Sequence, residues 1–207
     1  MKPNVLDISH HNTVTSFQQI KSFGINGIIH KASQGDSIPD KTYSQRRDSA
    51  VKAGLLWGAY HFASNEPVKD QVDWFFKMAQ PSEFTLLALD YEPNGSATMS
   101  LSQAREFIER VDQKTGHATV LYSGNLIKET LDEDDDGFWG NHPLWLAQYG
   151  PKAKLPDAWD DYFLWQFSDS NYNNPDNIKI PGISGQVDMN YFNGDASALS
   201  TAWVQKI

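Results

Sequence analysis

Asp90 and Glu92 close the apolar run TLLALDYEPNG, residues 85–95, with one tyrosine between them and a Pro-Asn-Gly turn behind. Side chains of a strand alternate faces, so two residues spaced i, i+2 point the same way. Crowded carboxylates repel, which raises pKa values until a proton is held near neutrality. A protonated Glu beside an ionised Asp is the pair that glycoside hydrolysis needs. The acid protonates the leaving oxygen, and its partner stabilises positive charge at the anomeric carbon or activates a nucleophile. A lone Asp-x-Glu is more often a solvated loop edge. The oily lead-in argues against that here, because an apolar strand rarely ends in two stacked acids that lack partners.

Such acids must be positioned by strands, and eight strand-like runs recur along the chain: residues 4–9, 27–33, 55–64, 85–92, 118–123, 143–149, 162–168 and 186–192. Segments 16–24, 43–54, 69–79 and 100–116 carry helical spacing, the first two with glycine stops and the last with Ser or Thr caps in reach. After residue 143 only irregular loops separate the runs. Five βα units followed by three strands with little helix predict an α/β fold, an irregular TIM-like (β/α) barrel of the form (β/α)5(β)3. An open doubly wound sheet is the alternative. One domain is expected over residues 1–207.

A closed barrel gathers its functional residues at the C-terminal ends of its strands. Asp90, Glu92 and Asp7 lie at such ends; Asp188 lies early in the last run, which leaves its height open. The first and eighth strands become neighbours on closure, so Asp7 and Asp188 are expected to face Asp90 and Glu92 across the mouth. Tyr60, Tyr122, Trp145, Tyr149 and Trp165 also lie near strand ends. Aromatic planes suit the C–H faces of sugar rings, and Gln166 and Asn190 suit their hydroxyls. Core packing is the competing use, favoured for Trp165, whose parity opposes Gln166, and not for Trp145.

The formal charge of −9 argues against nucleic acid and against anionic membrane surfaces. No cysteine is present, so thiolate metal sites and disulfides are excluded. No apolar run is long enough to span a membrane, and the first residues lack the apolar region of a signal peptide, which leaves the export route open.

Seven motifs in order make the chain similar to glycoside hydrolase family 25, the Chalaropsis-type muramidases that include phage endolysins. They are DIS at 7–9, KASQG at 31–35, GAYHFA at 58–63, LDYE at 89–92, LWLAQY at 144–149, LWQFS at 164–168 and VDMNYF at 187–192. The resemblance implies cleavage of the β-1,4 bond between N-acetylmuramic acid and N-acetylglucosamine in peptidoglycan. Glu92 would be the general acid, and Asp90 would stabilise the transition state or assist the substrate's N-acetyl group. Asp7 and Asp188 would complete the acidic pocket, with Tyr60, Tyr122 and Trp145 lining the sugar groove. Lys31, by the same pattern, is placed beside the acids, where its charge would hold one carboxylate ionised. The chain ends soon after its last strand, so a single catalytic barrel without a separate cell-wall-binding domain is expected. It is expected to act as a monomer on extracellular or periplasmic wall.

Other signals point elsewhere with less support. The acidic stretch 131–137 imitates a calcium loop, but Pro143 stands where a bidentate Glu is required. His10 and His11 follow Asp7, and a metal-dependent polysaccharide deacetylase also uses His with Asp at a barrel mouth, yet neighbours on a strand face opposite ways and no HxH or HExxH occurs. No metal or cofactor is expected. His30 and His61 are read as satisfied polar groups inside strands. A chitinase-like family 18 enzyme would carry further aspartates at 86 and 88, which are Leu86 and Ala88. A catalytically silent glycan-binding module remains the alternative from another class.

Overall fold

Strand β1 (Val5–Ile8) opens the fold in the computed structural model, which describes residues 2–171, 174 and 177–206. It is followed by β2 (Thr13–Val14), β3 (Gly27–Gln34), β4 (Ile38–Pro39), β5 (Leu56–Phe62), β6 (Leu86–Asp90) and β7 (Val120–Ser123). Then come β8 (Leu144–Ala147), β9 (Leu164–Ser168), β10 (Ile183–Ser184) and β11 (Asp188–Tyr191). Every strand-like run of the sequence contains one of these strands; the two-residue β2, β4 and β10 are additional.

Helices α1 (Phe17–Phe23), α2 (Tyr43–Lys52), α3 (Val68–Ala79), α4 (Leu101–Thr115) and α5 (Asn125–Thr130) supply the five βα units. The Ser100 hydroxyl accepts from the backbone N–H of Gln103 in a capping box, and Gly116 ends α4 in the left-handed region at φ 69°. A sixth helix, α6 (Ala196–Ala202), has no counterpart in the sequence reading.

Strands β1, β3, β5, β6, β7, β8 and β9 pair in parallel in that order, and β11 runs antiparallel between β9 and β1. The sheet therefore closes as a mixed eight-stranded (β/α)5(β)3 barrel, and the open-sheet alternative is overturned.

Strand alternation divides the core. Leu87 and Leu89 of β6 face the helices, where Phe75, Phe107 and Ile108 pack, while Leu86 and Ala88 face the barrel interior with Val5, Ile29, Val120 and Leu164. Leu199 and Trp203 join the interior cluster from the C-terminal segment. The Trp203 indole donates to the Trp57 carbonyl at 2.9 Å, and its ring lies 2.6 Å from where a Cβ at Gly27 would stand. Any larger residue at 27 must displace the ring; truncating a buried Trp costs about 3–5 kcal/mol.

His30 and His61 are indeed satisfied. His30 donates from Nδ1 to the Lys31 carbonyl at 2.7 Å, and His61 bonds Ser33 and Gln71. Burial lowers the pKa of each to about 4. In the acidic stretch, Asp134 accepts from the backbone of Trp139 and Gly140, and Asp136 pairs with Arg105 at 2.7 Å. Asp134 shapes its own loop, and Asp136 ties that loop to α4. Among the described residues, no helix is long and apolar enough to cross a membrane.

Candidate active site

On several strands, inward positions pass from apolar to polar in two-residue steps toward one end of the barrel. Val5 gives way to Asp7, Ile29 to Lys31, Gly58 to Tyr60, Ala88 to Asp90, Val120 to Tyr122 and Leu164 to Gln166. This rule assembles the mouth from residues remote in sequence. Because β11 runs the opposite way, its first residue stands at the rim: Asp188 pairs with Asp7, and Asn190 sits one layer deeper opposite Val5. The height of Asp188, open in the sequence, is set by that reversal.

Asp7, Lys31, Tyr60, Asp90, Glu92, Tyr122, Trp145, Gln166 and Asp188 line one cleft of about 310 Å³. Asn190, the remaining expected site residue, is wholly buried and reaches Asp7 from below. Trp145 is only 1% exposed, with its ring edge-on to Tyr122 at 4.5 Å, so it forms floor and not an open platform. Tyr149 is an exposed ring of the cleft, at 38%. Trp165 lies in the outer core, as its parity requires.

Ser9, His11 and Phe62 also line the cleft and were not anticipated. His10 and His11 lie in a turn beyond β1, with ring centroids 3.9 Å apart, so strand alternation does not govern them. His10 instead pairs with Asp40 at 2.9 Å. Only the proximity of His11 to Asp7 in sequence hinted at its place.

All four mouth acids are pushed above their ordinary pKa. For Asp7 burial dominates, the amides of Asn190 and Gln166 oppose it, Glu92 adds to it, and the result is about 6. Asp188 rises to about 8 through burial and the adjacent Asp7. Asp90 is raised strongly by burial and by Glu92, with Lys31 opposing. Glu92 is raised by burial and by Asp188, again with Lys31 opposing. The family resemblance implies a protonated Glu92, whereas burial favours a proton on Asp90 too.

Lys31 acts on these acids through space. Its ammonium donates to Gln34 Oε1 at 2.7 Å and lies 4.8 Å from the centre of the Phe62 ring. Asp90 Oδ1 is buried and makes no hydrogen bond among the described residues. Such atoms are uncommon, because burying a polar atom without a partner costs about 1–3 kcal/mol.

A closed barrel with acids, amides and tyrosines at one mouth is an arrangement that glycoside hydrolysis can use. The sequence model for Glycosyl hydrolases family 25 matches residues 6–175, and the chain belongs to that family. It is 27% identical to Lysozyme M1 of Streptomyces globisporus over 94% of this chain and 69% of that protein. It is 28% identical to the uncharacterized protein YegX of Escherichia coli (strain K12), over 94% of this chain and 71% of that one. The crystal structure of a bacterial lysozyme from Streptomyces coelicolor superposes with a TM-score of 0.84 at 28% identity, covering 98% of this chain and 97% of the other.

Proposed function

We propose that the chain is a peptidoglycan hydrolase, an N-acetylmuramidase that cleaves the β-1,4 bond between N-acetylmuramic acid and N-acetylglucosamine. Family membership makes peptidoglycan the natural substrate class. The observation that carries the reading is the pair of carboxyls, Asp90 and Glu92, two residues apart and lining the same cleft. N-acetylated sugars present an amide N–H at C2, next to the anomeric carbon. Donation from that N–H to the Asp90 carboxyl favours its ionised form.

Glu92, only partly buried and raised in pKa, keeps the proton it delivers to the leaving oxygen. Ionised Asp90 then steadies the acetamido group or the positive charge growing at the anomeric carbon. Asp7 and Asp188 complete the polar surround. Tyr60, Tyr122 and Tyr149 offer ring faces and hydroxyls to the sugars, over a floor made by Trp145. The enzyme works as a monomer on glycan strands outside the cytoplasm.

The test is digestion of purified peptidoglycan with mass analysis of new reducing ends. Muramic acid ends support the proposal, and glucosamine ends mean a glucosaminidase. Released acetate means a deacetylase, and binding without new ends means a silent glycan-binding module.

A further inference from the structure

Asp7 is held differently from the other mouth acids. An indole N–H can only donate. Trp145 Nε1 donates to Asn190 Oδ1 at 2.6 Å, which turns the amide oxygen toward the indole and its NH₂ toward Asp7. Asn190 Nδ2 then donates to Asp7 Oδ2 at 2.8 Å. On the other flank the Tyr122 hydroxyl donates to Gln166 Oε1 at 3.0 Å, and Gln166 Nε2 donates to the same Asp7 oxygen at 3.0 Å. Flipping the Asn190 amide would set its NH₂ against the indole N–H. Asn190, Gln166 and Trp145 are all buried, so water cannot easily replace these partners.

We propose that Trp145 and Tyr122 are positioning residues that act through Asn190 and Gln166 to keep Asp7 the charged member of the Asp7–Asp188 pair. The catalytic meaning of this role rests on the muramidase reading above, but the electrostatic role does not. Two N–H donors converging on one carboxylate oxygen stabilise its ionised form. They oppose the negative groups that face Asp7: Asp188 on β11, and Asp90 and Glu92 across the mouth. Lys31 on β3 is the cation facing the same cleft, and the hydroxyls of Tyr60 and Tyr149 and the ring of His11 complete its titratable lining. Asp188 receives one hydroxyl, from Tyr149 at 3.3 Å. The network thus places the charge on Asp7 and the proton on Asp188, which donates it in a hydrogen bond to Asp7.

Carboxyl ¹³C NMR titration of the intact, substrate-free protein tests this directly. In the wild type, Asp7 should titrate at lower pH than Asp188. Tyr122→Phe removes one oxygen and frees the Gln166 amide; Trp145→Phe does the same for Asn190. Each should move the Asp7 midpoint up by about one unit, the size expected for losing one donor to the charged form. The acidic limb of the wall-clearing pH profile should move up with it, a change that loss of sugar contact or of packing does not produce. If Trp145→Phe fails to fold, Tyr122→Phe decides alone. An unmoved Asp7 midpoint in a folded variant, or Asp188 ionising before Asp7, overturns the proposal. Wild-type protein that shows the titration but leaves peptidoglycan intact would sink the muramidase reading and leave this one standing.

Discussion

Asp90 and Asp112 are buried almost equally, 6% and 7% exposed, and the chain treats them in opposite ways. Asp112, on α4, accepts from the Thr119 backbone at 2.8 Å and hydroxyl at 2.6 Å, while its other oxygen meets His142 Nε2 at 2.8 Å. The second nitrogen of His142 donates to the Phe138 carbonyl at 2.6 Å, so the cluster ties the 138–142 segment to α4 and β7. Burial depresses the pKa of His142, but the bonds to Asp112 and Phe138 outweigh it and raise the pKa overall. Asp90 has acids for neighbours and an oxygen without a donor. The carboxylate of Asp112, supplied with donors, ties a segment to the fold; that of Asp90, with one oxygen denied them, keeps an unfavourable energy. The first is structural, and the second lines the cleft.

Substitutions should separate these two kinds. The largest effect belongs to Glu92→Gln, which keeps the shape and removes the transferable proton. Turnover on peptidoglycan should fall by about 10²–10⁴-fold while glycan binding persists. Wild-type clearing rates from this variant would remove Glu92 from the mechanism.

Asp90→Asn and Asp112→Ala should then diverge. Asp90→Asn should also cripple turnover, yet melt no lower than wild type, since an amide relieves like-charge repulsion. Asp112→Ala should cost on the order of 3 kcal/mol of stability, because it strands His142 and Thr119 inside the fold. Chemical denaturation of both proteins measures the contrast, and equal losses would erase it.

The pH dependence of melting gives a smaller effect. Asp188 is raised from 3.8 to about 8, so between those values the folded protein keeps a proton that the unfolded chain releases. Stability must therefore fall as pH rises through that window. The raised His142 acts in the same sense, its contribution being complete below about pH 6.5 and lost as pH passes its folded pKa. Asp188→Asn should flatten the decline and melt roughly 3 °C or more above wild type at pH 8; a parallel decline in both proteins would assign it to other groups.

The smallest effect should be that of EDTA. A proton donor and a partner carboxylate suffice for this chemistry, so exhaustive chelation should leave the clearing rate unchanged. Loss that zinc restores would favour the deacetylase reading.

Much of the mouth was legible because strand alternation is a local rule. Asp7, Lys31, Asp90, Tyr122 and Gln166 share a face with apolar residues two positions before them, and those residues fill the barrel. The places of His11, Ser9 and Phe62 in the cleft were not legible. The first two lie beyond the end of β1, where alternation stops, and Phe62 ends β5 without a polar signature. Helix α6 was missed because its run ASALSTA is short and weakly apolar, and Trp203 beyond it acquires meaning only against Gly27.

The sequence alone determined the eight strands, the βα order of the first half and the facing of Asp90 with Glu92, because periodicity and spacing are properties of neighbours along a chain. The tertiary structure decided the direction of β11, which lifts Asp188 to the rim and lowers Asn190 beneath Asp7. It also decided that Trp145 donates into an amide and that, among the described residues, Asp90 Oδ1 is left without a donor while Asp112 has three. Hydrogen-bond satisfaction and burial depend on which distant residues meet, so they exist only once the barrel has closed.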